Sequence, residues 1–247
     1  LLKDKMNKLA TKFYVQELEN LSKNYDSYLK SVSNFIAEVD VIKSCAKCSI
    51  IHNYKRPVLN IEKDSDKSFL IAKNIRHPII ECIHTDTEYI PNDVTLGTDN
   101  SDGILLYSVN AAGKSSLMKS VGINTIMAQA GMFVAADNFN FEPYKYIFTR
   151  ISGNDNLFKG QSSFAVEMSE LRGILKRANN NSLVLGDEIC RGTEEKSANI
   201  IVSYMLETLQ NTKSSFITAT HLHQIAEMES VKNLEKVKSM HLKVEYD

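Results

Sequence analysis

Apolar residues recur near the start of the chain at alternating steps of four and three residues. This heptad pattern continues for more than four heptads, while lysine, glutamate, asparagine and serine occupy most of the other positions. The apolar positions are Tyr14, Leu18, Leu21, Tyr25, Tyr28, Val32, Phe35, Val39, Ile42 and Ala46. The pattern predicts one long amphipathic helix, which would pack its apolar stripe either on a partner helix in a coiled coil or on a globular body.

The heptad pattern ends between residues 53 and 67, where Pro57 and a charged stretch at 62–67 interrupt it. We therefore expect a helical segment at 1–66 and a second domain at 67–247. In the second domain, short apolar runs alternate with amphipathic ones and predict strands at 69–72, 104–107, 146–150, 182–185 and 216–219, and helices at 114–131, 163–178, 197–209 and 223–227. Strands that alternate with helices predict an α/β domain with a mostly parallel sheet between helical layers.

Composition narrows the classes of function mainly by exclusion. The net charge is −1, so the chain has no overall positive field with which to bind nucleic acid by itself. No apolar run approaches the roughly 18 residues of a membrane span. Cys45 and Cys48 form an isolated CxxC pair that lacks the second pair of a zinc finger. We therefore expect a soluble intracellular protein without a membrane partner.

The clearest chemical motif follows the predicted strand at 104–107. The run SVNAAGKS at 108–115 has the Walker A arrangement of strand, loop and helix, except that Ser108 replaces the first glycine at a conformational cost. Backbone N–H groups of the loop and the helix would bind phosphate oxygens. Lys114 would reach the β- and γ-phosphates, and the Ser115 hydroxyl would bind Mg²⁺. The alternative is a chance Gly-Lys-Ser sequence at the start of a helix.

Two further predicted strands end in polar side chains. Asp187 and Glu188 resemble a Walker B element, in which the first carboxylate holds the Mg²⁺ shell and the second polarises the attacking water. His221 would hydrogen-bond the γ-phosphate or that water. An acidic pair or a histidine at the end of a single strand more often faces solvent without a catalytic role. Because ligands of open α/β sheets bind outside the carboxyl ends of the strands, the three ends together predict one site for ATP and Mg²⁺. The spacing from Lys114 to Asp187, about 73 residues, is typical of an ABC-type or recombination-type P-loop ATPase.

Five runs, taken in order, resemble the MutS family of DNA mismatch-repair ATPases. The runs and their family counterparts are NAAGKSS at 110–116 with GPNMGGKST, YIFTRISGND at 146–155 with IFTRVGA.D, GQSSFAVEM at 160–168 with GxSTFMVEM, SLVLGDEICRGT at 182–193 with SLVLxDEIGRGT, and ATH at 219–221 with ATH. Together with the run RHPII at 76–80, which resembles the family's RHP segment, they are distributed over most of the length of residues 70–228. The form DEICRGTE is similar to the homologues of plant organelles, large DNA viruses and coral mitochondria.

The resemblance implies an ABC-type P-loop ATPase domain at 67–247, preceded by part of the family's helical lever at 1–66. Tyr89 would stack on adenine, Asn110 would lie near the γ-phosphate, and Ser162 would reach the nucleotide of a partner domain. The implied nucleotide-binding residues are Tyr89, Ser108, Val109, Asn110, Ala111, Ala112, Gly113, Lys114, Ser115, Ser116 and Ser162. Mg²⁺ would bind Ser115 and Asp187, and catalysis would involve Lys114, Glu188 and His221.

The resemblance also implies partners. A second MutS-type ATPase domain, expected to be an identical copy, would form a dimer whose two composite sites close on ATP. Mismatched or branched double-stranded DNA would bind through domains outside this chain. The nucleotide state at the dimer interface would then be coupled to clamping of the DNA.

Departures from the family pattern leave two alternatives open. Ser108 and Ala111–Ala112 alter the phosphate loop, Cys190 replaces a glycine, and residues 194–198 differ from the usual STYDG run that meets the partner. The first alternative is a nucleotide-gated dimerisation module with little turnover. The second is an ABC-type ATPase of a transporter or a chromosome-tethering complex. A transporter should carry LSGGQ, however, where this chain has GQSSF.

Overall fold

The computed structural model describes residues 2–60, 66–83, 89–108, 113–151, 163–190 and 193–242. The chain divides into two compact units, with the division between Ile51 and His52. The first unit is the helix α1 (Leu2–Ile51), whose 50 residues span about 75 Å at 1.5 Å per residue. None of its described side chains is buried, and Phe35 in the heptad stripe is 66% exposed. The long helix predicted from the heptads is confirmed.

The second unit contains two sheets and the helices around them. In chain order its elements are β1 (Val58–Leu59), β2 (Leu70–Ile75), α2 (Ile80–Ile83), β3 (Asn92–Leu96), β4 (Gly103–Tyr107), α3 (Lys114–Gln129), β5 (Asn138–Phe141), β6 (Tyr146–Arg150), α4 (Ser163–Arg177), β7 (Ser182–Asp187), α5 (Glu195–Asn211), β8 (Ser215–Thr220), a 3₁₀ helix (His223–Glu227), α6 (Glu229–Lys232) and β9 (Val237–His241). The larger sheet has the order β6-β7-β8-β4-β9, and its neighbouring strands are parallel. The smaller sheet has the order β1-β5-β2-β3, with β2 antiparallel to β3 and β5. The expected α/β class with a parallel sheet is confirmed.

The three central strands of the parallel sheet, β7, β8 and β4, are buried on both faces because helices pack against each face. Strands β7 and β8 are buried at all six positions, as expected for apolar runs in a covered parallel sheet. Alternate residues of β4 contribute to opposite sides: Leu106 joins a cluster with Met118 of α3, whereas Leu105 joins a cluster with Met205 of α5. The helix α3 lies close to the sheet, since a Cβ at Gly122 would be 2.8 Å from Leu185 Cδ1.

The division between the units differs from the one expected at residue 66. Val58–Leu59 pairs in parallel with β5, and the backbone N–H of Lys55 donates to the carbonyl of Val134 at 2.9 Å. These contacts attach residues that follow α1 to the small sheet. The helical segment therefore ends at Ile51, and the contact-defined division follows it directly.

The remaining differences concern exposed or weakly patterned elements. The five predicted strands and the first three predicted helices are present, with ends shifted by up to three residues, while the predicted helix at 223–227 is a 3₁₀ helix. Strands β1, β3, β5 and β9 were not predicted. β1 and β9 are sheet edges with mostly exposed residues, so their sequences carry little apolar signal. Within the described residues, no helix combines the length and hydropathy needed to cross a membrane.

Candidate functional site

The carboxyl ends of three neighbouring strands form one edge of the parallel sheet. Strand β8 lies between β7 and β4, with Tyr107 opposite Thr220 and Asp187 opposite Ala219. Ser108, Glu188 and His221 therefore follow directly at the same edge. Since adjacent strands are about 4.8 Å apart, the chain after β4 and the chain after β7 are separated by about 10 Å. The structure thus brings together the three strand ends that the sequence singled out.

The first of these strand ends leads to the start of α3. Gly113 is the residue before the helix and has φ 89, a left-handed conformation that favours glycine. Since glycine has no side chain, the first N–H groups of α3 have no side-chain cap from this position. Among the described residues, a Cβ at Gly113 would meet no atom within 4 Å apart from its chain neighbours. The amino end of this 16-residue helix suits an anion, because its first N–H groups carry partial positive charge.

Lys114, the first residue of α3, places a positive charge next to the carboxyl end of β4. Its side chain is buried, at 5% exposure, and Nζ donates to the carbonyl oxygen of Ser108 at 2.7 Å. Ser108 is also fully buried, and its backbone is outside the left-handed region. Serine at this position therefore does not adopt the left-handed conformation that would favour glycine. The expected binding residues Val109, Asn110, Ala111, Ala112 and Ser162 lie outside the described residues.

Tyr89 lies beside the first turn of α3. Its Oη is 3.3 Å from the Oγ of Ser116, and both side chains are half-buried. Ser115, the expected Mg²⁺ ligand, is half-buried in the same turn. Although Tyr89 and Ser116 are 27 residues apart, the fold brings the tyrosine ring next to the helix start that follows Lys114.

The second strand end carries the two acidic residues. Asp187 is the last residue of β7 and is only 6% exposed. Glu188 is half-buried, and its N–H donates to the carbonyl of Ala219 on β8 at 2.9 Å. The chain then turns sharply, because Glu188 has φ 47 and Cys190 has φ 64. Such conformations cost about 1–3 kcal/mol for each residue that has a side chain, so surrounding contacts must stabilise the turn.

Two contacts hold this turn against the body of the domain. Ile189 is buried over Gly186, where a Cβ would lie 2.6 Å from Ile189 Cδ1. Glycine at this strand position therefore permits the close approach. The N–H of Cys190 donates to Oε1 of Glu167 on α4 at 2.9 Å. Burial, with a smaller contribution from the charge of Glu167, raises the pKa of the Cys190 thiol to about 11. Cys190 is therefore a neutral packing residue at neutral pH.

The third strand end positions His221. Strand β8 ends at Thr220, whose Oγ1 accepts the N–H of Leu222 at 3.1 Å. This local hydrogen bond forms a turn that leaves His221 half-buried at the sheet edge. The imidazole therefore follows the strand that separates Lys114 and Ser108 from Asp187 and Glu188.

Features that sequence reasoning did not identify surround this edge. Glu167 lies in the run GQSSFAVEM at 160–168. Its hydrogen bond with Cys190 joins positions 23 residues apart, so the sequence did not indicate it. A cavity of about 300 Å³ borders β4, with Asp93, Leu117 and His241 in its lining. The His241 ring is 5.5 Å from that of Tyr107. No sequence signal indicated this cavity because His241 ends the unpredicted strand β9.

The part of the chain that the structure describes contains no metal site formed by protein side chains alone. In those residues, His, Cys, Asp and Glu side chains do not form a group of three or more that could hold a metal ion. None of the four cysteines forms a disulfide, and Cys45 and Cys48 of the CxxC sequence lie on α1. A cation at the sheet edge would therefore take part of its coordination from something other than these side chains.

The family model described as MutS domain V matches residues 104–247, which include all three strand ends. This chain belongs to the MutS family. It is 43% identical to a mitochondrial DNA mismatch repair protein mutS homolog of Sarcophyton glaucum over 228 residues, which cover 92% of this chain and 23% of that protein. The MutS prediction and its suggested subgroup are confirmed.

Two further relatives support the same assignment. A putative DNA mismatch repair protein mutS homolog of Acanthamoeba polyphaga mimivirus is 39% identical over 280 residues, covering 100% of this chain and 25% of that protein. The DNA mismatch repair protein MutS of Finegoldia magna is 37% identical over 213 residues, covering 86% of this chain and 24% of that protein. The chain thus spans about a quarter of the length of the relatives that it matches.

Proposed function

We propose that this chain is the ATP-binding and ATP-hydrolysing domain of a MutS-like DNA mismatch-repair protein. It would be an ABC-type P-loop domain that is preceded by part of a helical lever. The observation that carries the proposal is the placement of Lys114 and the start of α3 at the same sheet edge as Asp187 and Glu188. A phosphate-binding end and a carboxylate end about 10 Å apart are suited to the two sides of a bound triphosphate.

The phosphate end would bind ATP through charge and backbone amides. The N–H groups at the start of α3 and the ammonium of Lys114 would bind the phosphates, and the same groups would stabilise charge that develops during hydrolysis. Lys114 already contacts the backbone at Ser108, so its ammonium is restrained close to that position. Tyr89, next to Ser116, would stack on the adenine ring.

The donor set also fits Mg²⁺. This small cation prefers oxygen ligands and is usually held by one or two protein groups together with phosphate oxygens and water. Ser115 in the first turn of α3 and Asp187 at the end of β7 would supply the protein oxygens. When bound, Mg²⁺ would neutralise phosphate charge.

The remaining groups would act on the attacking water. Glu188 follows Asp187 and would accept a proton from that water as general base. His221, one strand away, would hydrogen-bond the γ-phosphate or the water. Ser162 would act on the nucleotide of a second copy, so two identical chains would form composite sites. DNA that is mismatched or branched would bind through other parts of the longer protein.

A nucleotide-gated assembly module with little turnover is the second candidate function. The observation that favours it is Cys190, which stands in the turn after Glu188 with φ 64. A side chain in this conformation adds strain next to the proposed base. Both functions predict ATP binding, so turnover separates them.

The test is steady-state ATP hydrolysis over a range of chain concentrations, with Glu188→Gln and the control Glu207→Gln. Glu207 is an exposed residue of α5, so its variant should match the wild type. We expect specific activity to rise with concentration and Glu188→Gln to lower kcat by about 100-fold or more, since general base catalysis contributes about 10²–10⁴-fold. ATP binding without turnover in the wild type would instead support the gated module.

A further inference from the structure

A buried glutamate connects α4 to the turn that follows β7. Glu167 is 8% exposed, and its Oε1 accepts the N–H of Cys190 at 2.9 Å. The contact is tertiary, because the two residues are 23 positions apart. A carboxylate is a stronger acceptor for a backbone N–H than a neutral oxygen, and a buried N–H that loses its acceptor is costly. Glu167 is therefore placed to restrain the backbone at Cys190.

The restrained turn is the one that presents Glu188. At its first residue, the N–H of Glu188 is bonded to Ala219 of β8. At its third residue, the N–H of Cys190 is bonded to Glu167. Both residues have positive φ, a conformation that L-residues leave readily when contacts permit. Loss of the second hydrogen bond would let the turn relax and would change the direction of the Glu188 carboxylate.

The helix α4 extends this restraint to another part of the domain. It begins at Ser163, so Glu167 lies four residues from its start, or about 6 Å along the helix axis. Phe164 and Met168 pack against the apolar cluster that contains Ile189 and Cys190. Because the first turns of α4 and the turn after β7 pack in one apolar cluster, we expect a displacement of one to move the other.

We propose that Glu167 is a positioning residue for hydrolysis, which holds the turn that presents Glu188 and links the orientation of that carboxylate to the start of α4. The inference rests on the proposed ATPase function. Glu167 does not contact the nucleotide in this scheme. Its loss should therefore reduce kcat much more than it changes KM for ATP.

The experiment compares Glu167→Ala, Glu167→Gln and Glu167→Asp with the control Glu170→Ala. Glutamine keeps an oxygen acceptor at the same distance, whereas aspartate keeps the charge but shortens the reach. Glu170 lies on the same helix, is exposed, and pairs with Arg150 rather than with the turn. For each variant we would measure kcat, KM and hydrogen exchange of the Cys190 amide, with circular dichroism as the check on folding.

We expect Glu167→Ala to lower kcat about tenfold or more, as one lost hydrogen bond in the reactive state would do. KM should stay within about twofold of the wild-type value, and the Cys190 amide should exchange about tenfold faster. Glu167→Gln should keep at least about half of kcat, because its amide oxygen can replace the carboxylate as acceptor. Glu167→Asp should fall between them, and Glu170→Ala should match the wild type.

Wild-type kcat in Glu167→Ala, an unchanged Cys190 exchange rate, or equal losses in Glu167→Gln and Glu167→Ala would each overturn the positioning role. If Glu167→Ala does not fold, Glu167→Asp decides the question, since full activity in that variant would contradict a distance-dependent contact. A wild-type chain that binds ATP but does not hydrolyse it would refute the proposed function itself. The two failures are thus distinguishable.

Discussion

Apolar residues specify both the helix α1 and the strand β8, but these residues are exposed in α1 and buried in β8. Phe35 in α1 is 66% exposed, whereas Phe216 in β8 is fully buried. The apolar stripe of α1 has a period that specifies a helix, yet none of the described side chains of α1 is buried. All six residues of β8 are buried between helices. A periodic apolar pattern therefore specifies the local element, whereas burial of its apolar face requires a second surface.

The largest expected effect contrasts these two phenylalanines. Phe216→Ala should lower the free energy of unfolding of the second unit by about 3–5 kcal/mol, because it leaves a cavity in the covered sheet. Phe35→Ala, at an exposed helix position, should change stability by less than about 0.5 kcal/mol. Urea unfolding followed by circular dichroism measures both values. A cost of several kcal/mol for Phe35→Ala would show that the apolar stripe of α1 is covered in solution.

A smaller effect is expected from two glycines of the second unit. Gly186→Ala would place a Cβ 2.6 Å from Ile189 Cδ1 and should destabilise the chain by about 1–3 kcal/mol through overpacking. It should also reduce ATP turnover, because the Glu188 turn must shift. Gly173→Ala on α4 is the matched control, since its nearest contact would be 3.8 Å away. That change should stabilise the helix by up to about 1 kcal/mol. Equal stabilities for the two variants would contradict the close packing at Gly186.

The smallest expected effect is a difference in the alkylation rates of the cysteines in the two units. Burial raises the pKa of Cys190 to about 11, so only about 10⁻³ of this thiol is ionised at pH 8. Cys45 and Cys48 on α1 are partly exposed. Alkylation with iodoacetamide, read by mass spectrometry, should modify the α1 pair far faster than Cys190 in the native chain.

The pH dependence of the Cys190 alkylation rate gives a second test of this prediction. The thiolate is the reactive form, so the Cys190 rate should continue to rise as the pH approaches about 11. Denatured chain is the control, because unfolding removes the burial and should make the three rates similar. Comparable native rates at pH 8 would place Cys190 at the surface and contradict its packing beside Glu167.

Much of the second unit could be predicted from the sequence because its central strands are continuous apolar runs. The strands β4, β7 and β8 and the helix starting at Lys114 were predicted within two residues of their observed ends. The edge strands β1 and β9 were not predicted, because most of their residues are exposed and their sequences carry no strong apolar pattern. The strand β5, with the sequence NFNF, does alternate between polar and apolar residues, but four residues are too few to distinguish a strand from a loop.

For the candidate site, sequence reasoning placed Asp187, Glu188 and His221 at the ends of apolar strands and Lys114 at the start of the helix after β4. Parallel strands bring such residues to one edge of the sheet. Only the tertiary structure decided the order β7-β8-β4, the position of Tyr89 beside Ser116, and the contact between Glu167 and Cys190. The physical reason is that strand period and turn preferences are local properties, whereas these contacts join residues 23 or more positions apart. They depend on how helices cover the sheet, which hydrophobic periodicity does not encode.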